Sequence, residues 1–121
     1  MLKQSPFACV MDAIETEKRV PHLANARRLF NSVEEIRELE SGYAFRFCNE
    51  TEILTSLADF IALERLCCPF FGFNVDVESE GGAIWFSVTG RAGVKPFIQA
   101  EIGEIVGRPT LIVDFRFQIS D

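Results

Sequence analysis

The sequence predicts an α+β fold: a two-layer sandwich in which an antiparallel sheet, built from two hairpins and a candidate C-terminal strand, is covered by two or three helices. Three observations lead there. Tyr43, Phe45 and Phe47 alternate with Ala44, Arg46 and Cys48, the period of a strand with one buried face. Phe71, Phe73, Val75 and Val77 alternate in the same way, and Gly81-Gly82 then turns the chain into Ile84, Phe86 and Val88. Between these hairpins, Ile53, Leu57, Phe60 and Ile61 recur at helical intervals. Strands that are apolar on one face need helices laid across it.

In chain order, Asp12 and Glu15 have capping-box spacing, so a helix is expected to begin there. Pro21 predicts a break near Val20, because proline lacks the N–H that an uninterrupted helix uses; it suits the first turn of a new helical piece, 21–31, with Leu23, Ala26 and Phe30 on one face. Val33 to Glu40 is ambiguous, because Val33, Ile36 and Leu39 fit a helix, but Ser41-Gly42 is a hairpin-turn signal that favours reading it as a strand turned into the Tyr43 strand. Asn49 and Glu52 have capping-box spacing ahead of the central helix, which Pro69 ends at Cys67 by biasing Cys68 towards an extended backbone. Val94, Phe97, Ile98, Glu101, Ile102 and Ile105 mark a last helix over 93–107, with Pro96 in its first turn and Gly107 at its end. Leu111, Val113, Phe115 and Phe117 predict a tail strand over 110–118.

The 121 residues suffice for one domain and not for two ordinary ones, so residues 1–121 are read as a single unit. Within it, 21–48 and 50–89 each read as a helix followed by a hairpin, a candidate duplication. Apolar residues make up 48% of the chain and charged residues 25%, the mix of a folded protein. Twelve phenylalanines stand against one Tyr and one Trp. Phe has no polar tip to satisfy, so this supply suits a dry core, a subunit interface or an apolar ligand. The formal charge is −6 with scattered basic residues, which argues against nucleic acid as a partner. Glu64-Arg65 interrupts the longest apolar candidate, 57–73, so no uninterrupted run approaches the ~18 residues of a membrane span, and no secretory signal is visible at residues 1–10. A cytoplasmic location is the expectation. There, free or metal-bound thiols are expected in preference to a structural disulfide among Cys9, Cys48, Cys67 and Cys68.

The least generic stretch is Cys67-Cys68-Pro69-Phe70-Phe71. Helical register puts Cys67 on the stripe of Ile53, Leu57, Phe60 and Glu64 and brings both thiols towards the core. A bond between the two is disfavoured, because consecutive Cα atoms lie about 3.8 Å apart, below the usual disulfide range. The partial negative charge of a helix C-terminus does not activate a thiolate. Cys67 and Cys68, with Cys9 as third donor, form a candidate site for a soft ion such as Cu(I) or a metalloid. Glu64 and Arg65 are candidate supporting groups, although such a glutamate more often pairs with an arginine. The plainer alternative is that the cysteines pack as small buried apolar groups. Arg91, Gly93 and Lys95, at a strand-to-helix turn, form a candidate anion site, with solvated charges around a tight turn as the plainer reading.

Arg65-Leu66-Cys67-Cys68-Pro69-Phe70, with Phe73, Gly90 and Gly93-Val94-Lys95-Pro96-Phe97, resembles a group of short bacterial proteins that share an Arg-x-Cys-Cys-Pro-Phe motif and have no assigned activity. The resemblance extends forward to Gly42-Tyr43-Ala44-Phe45-Arg46-Phe47 and Cys9. It implies a small cytoplasmic α+β protein and carries over Cys9, Cys67, Cys68 and Lys95 as site candidates. Pro21 and the tail beyond 110 depart from the group's pattern.

Three functions follow as expectations. The first is capture of a soft metal or metalloid, or sensing of oxidants, through the vicinal cysteines, without catalysis. The second is an interaction module, a homodimer with its phenylalanines and terminal strand at the contact. The third and weakest is an enzyme with Cys67 or Cys68 as nucleophile and Glu64 or His22, the only histidine, as base.

Overall fold

A computed structural model of the protein describes residues 6–107 and residue 112. A short 3-10 turn, Met11–Ala13, precedes α1 (Thr16–Asn31), β1 (Glu35–Leu39), β2 (Gly42–Phe47), α2 (Thr51–Cys67), β3 (Gly72–Val77), β4 (Ile84–Thr89) and α3 (Lys95–Val106). The strands form one antiparallel sheet in the order β1-β2-β4-β3, and the helices make the second layer of an α+β sandwich. Two hairpins are therefore joined through their second strands, with Phe45 opposite Phe86 and Phe47 opposite Ile84 at the seam.

Tyr43, Phe45 and Phe47 of β2 and Ile84, Phe86 and Val88 of β4 bury the face that the period of two assigns to them. Across it α2 lays Ile53, Leu57, Phe60, Glu64 and Cys67, its whole buried set and a stripe at helical spacing. Phe30 of α1 meets Phe45, Phe60 and Phe86 with ring centroids at 5.2, 5.3 and 6.3 Å, and Phe73 stacks on Phe86 at 5.8 Å. Most of the described phenylalanines serve the core, the simplest use of an aromatic without a polar tip. The outer sheet face is polar: Arg37 lies 4.3 Å over Trp85 and binds Glu35, and Arg46 approaches Glu34 and Glu35.

Several local expectations are corrected. The helix does not break at Val20; α1 runs through Pro21. Pro21 is exposed, so the carbonyl left without a donor can be hydrated, and the helix is held by its packed face instead. That face is His22, Ala26, Leu29 and Phe30, while Leu23 turns out to be 39% exposed. Neither capping box forms. Asp12 lies in the 3-10 turn near Arg19, and Asn49 donates its Nδ2 to the Gly82 carbonyl at 2.7 Å, tying α2 to the β3–β4 turn. The end signals hold: Gly107 takes φ +68° after α3, and Cys68 leaves the helix at φ −120°. The tail strand expected over 110–118 lies outside the described residues except for Ile112, which is buried.

Phe60 sits at the centre of the ring cluster, touching Phe30, Phe73 and Phe86. Phe60→Ala is expected to lower the unfolding free energy by about 3–5 kcal/mol, and Leu54→Ala on the exposed side of the same helix by less than about 1 kcal/mol. Urea unfolding with an unchanged slope reads both.

Candidate functional site

The α2 stripe that fills the core ends in polar chemistry. Its last two members, Glu64 and Cys67, are 1% and 2% exposed, and Cys68 beyond them is fully buried. An N-terminal arm crosses this helix end: the Val10 N–H donates to the Cys67 carbonyl at 2.7 Å. Phe7 anchors the arm, with its ring 4.9 Å from Phe97, 5.3 Å from Phe70 and beneath the Arg91 guanidinium at 4.0 Å. Cys9 is thereby delivered to Cys68, and the two form a disulfide. Free thiols throughout had been expected; only Cys48 and Cys67 are free. The geometric ground for excluding a Cys67–Cys68 bond stands, and Cys68 finds its partner 59 residues away.

From α3, Glu101 reaches the same point, with its carboxylate oxygens 3.8 Å from Cys9 Sγ and 3.7 Å from Cys68 Sγ. Cys9, Cys67, Cys68 and Glu101 present ligand atoms that all lie within 4.8 Å of one another, close enough to hold an ion. Beside them opens a cavity of about 420 Å³ with Leu23, Ala26 and Ile105 among its apolar walls and Cys67, Glu64, Glu101 and His22 among its polar ones.

Electrostatics in this corner favour neutral groups. Burial pushes the Cys67 thiol up to about 11, with Glu64 and Glu101 adding to the effect. Burial, together with the hydrogen bond to Glu64, raises Glu101 to about 9, so it keeps a proton at neutral pH and can donate it to its neighbour. Glu64 Oε2 is buried without a hydrogen-bond partner among the described residues. Its Oε1 lies 2.9 Å from His22 Nε2, and with the proton on that nitrogen the imidazole donates to the carboxylate. Burial lowers His22 below its usual value and raises Glu64 above its own.

The candidate residues separate accordingly. Cys9, Cys67 and Cys68 converge, and Glu64 adjoins them, paired with His22 rather than with an arginine at the sheet edge. Arg65 faces solvent on α2 and stands outside the cluster. Lys95 is engaged elsewhere, donating to Glu38 at 2.6 Å and to the Leu39 carbonyl at 2.7 Å, while Arg91 covers Phe7. Arg91, Gly93 and Lys95 line a separate cavity at the β4–α3 turn. Glu101 and the packing of His22 were missed. The available signal was a carboxylate on the apolar stripe of α3, three residues after Ile98.

A glutamine at 101 keeps a donor for Glu64 without an acidic proton. The folded-state pKa of Glu101 lies above its unfolded value, so its contribution to stability is complete below about pH 4.5 and is lost as pH rises towards about 9. Glu101→Gln is therefore expected to flatten the decline of the melting temperature over that window and to stabilise the protein at alkaline pH by about 1–3 kcal/mol. Thermal melts of both proteins across pH provide the check.

No protein-family model, no curated protein and no solved structure matches this chain.

Proposed function

We propose that the protein captures a thiophilic metal ion or metalloid in its reduced state, using the sulfurs of Cys9, Cys67 and Cys68 with the Glu101 carboxyl beside them. The supporting observation is the convergence of those four groups within 4.8 Å from the arm, the end of α2 and the middle of α3. Soft sulfur donors select soft elements. The convergence has support besides the Cys9–Cys68 bond: the Phe7 ring contacts and the Val10 N–H bond hold the arm in place when that bond is reduced. A raised thiol pKa at Cys67 and a histidine committed to Glu64 are the reverse of what a cysteine nucleophile needs, which favours binding over catalysis.

The Cys9–Cys68 disulfide favours a linked second role, in which oxidation withdraws two of the three donors. Two thiols would pass two electrons and two protons to a peroxide, which leaves as an alcohol and water. A reducing compartment such as the cytoplasm would return the donors.

Native mass spectrometry of phosphine-reduced protein with added thiophilic ions tests this reading and reports the oligomer in the same spectrum. One bound equivalent is expected for wild type and Cys48→Ala, and none for Cys67→Ala/Cys68→Ala or for the unreduced protein. Equal stoichiometry in wild type and the double variant would sink the proposal. Phe7→Ala, which loosens the arm without touching a donor, is expected to weaken binding about tenfold, or about 1.4 kcal/mol, by competition with a chelator.

A further inference from the structure

Every thiol that becomes a ligand gives up a proton, so the charge left in the site depends on the element that enters. Three thiolates around a monovalent ion carry a net charge of minus two, and around a divalent ion minus one. Around a trivalent centre they carry none. The site is poorly suited to an anionic product. Cys9 lies at the surface, but Cys67 and Cys68 are 2% and 0% exposed, and the adjoining Glu64, at 1%, supplies no positive charge. Arg19 and Arg27 line the same cavity, but they direct Nε to the carbonyls of Ile14 and Ile105, each at 2.9 Å. An uncompensated charge buried here would keep most of its desolvation penalty.

We propose that the occupant is a neutral trivalent metalloid hydroxide of the arsenite type, bound through Cys9, Cys67 and Cys68. This deepens the thiol-capture reading and rests on it. In the step, three bonds from the element to hydroxide break and three bonds to sulfur form. Each thiol proton leaves with a hydroxide as water. The oxidation state of the element does not change, and no charge is added to the interior. The three donors stand on the arm and around the end of α2, with ligand atoms within 4.8 Å, a spread that a single pyramidal centre can draw together. The adjoining cavity of about 420 Å³, with Leu23, Ala26 and Ile105 among its walls, leaves room for the incoming species and the released water.

The test is titration of phosphine-reduced protein with arsenite and, separately, with cadmium(II), read by native mass spectrometry and by affinity at about pH 6 and about pH 8. Because no net proton is released, arsenite affinity is expected to change less than about threefold over that interval, whereas cadmium affinity should rise at least about a hundredfold. The arsenite adduct should weigh one arsenic less three hydrogens. Cys9→Ser, checked for native circular dichroism alongside Cys48→Ser, should retain one hydroxide on the arsenic and bind at least about tenfold more weakly. Cadmium binding without arsenite binding would overturn this inference and leave the broader reading standing. Failure of both would remove the broader reading as well. A wild-type adduct that retains one hydroxide, weighing one arsenic and one oxygen less one hydrogen, or full affinity in Cys9→Ser, would overturn the three-sulfur assignment.

Discussion

The structure depends on one helix stripe being buried along its full length. Ile53, Leu57 and Phe60 of α2 are covered by the sheet and by α1, and the same register continues into Glu64 and Cys67. A helix cannot bury the first three turns of a stripe and expose the last without tilting off the sheet, so the carboxylate and the thiol go inside with the phenylalanines. Everything unusual about the corner follows: a buried carboxylate needs donors, and His22 and Glu101 are positioned to provide them. The polar cluster is thus a consequence of the packing direction of the core.

The other constraint is the arm. Cys9 lies 59 residues from Cys68 in sequence and would be far from it without Phe7, whose ring sits among Phe70, Phe97 and Arg91. Gly90 helps to shape that seat, because a Cβ there would press within 2.9 Å of the Phe70 carbonyl and 2.7 Å of a Val94 methyl. The aromatic surplus therefore has two uses: a ring cluster between sheet and helices, and a smaller one that holds the arm against the thiols. The second ties the arm to this corner through contacts other than the Cys9–Cys68 bond.

Acidic side chains beside thiols are a demanding arrangement. Glu64 and Glu101 disfavour thiolate formation at Cys67, and burial acts in the same direction, so that thiol keeps its proton at neutral pH. Such a site discriminates by the charge of the product as much as by the softness of the donor. This is the physical content of the proposed preference for a neutral partner, and it separates this corner from a cysteine nucleophile, which needs an electropositive setting.

Much of this was legible in the residues. Alternation in β2 and β4, the α2 stripe, the glycine after α3 and the halt at Cys67 are local consequences of period, turn chemistry and proline sterics, and they hold in three dimensions, whereas β3 forms as a strand but leaves Val75 and Val77 of its apolar alternation exposed at the sheet edge. Local rules failed where tertiary packing outweighed them. Pro21 continues a helix because that helix is held from its other side, and Asn49 abandons its cap for the Gly82 carbonyl. Fold class and the neighbouring thiols at a helix end are written in local residue pattern. That Cys9 and Glu101 join them and that His22 serves Glu64 depends on how an arm and two helices pack, because those contacts span tens of residues, which no spacing encodes.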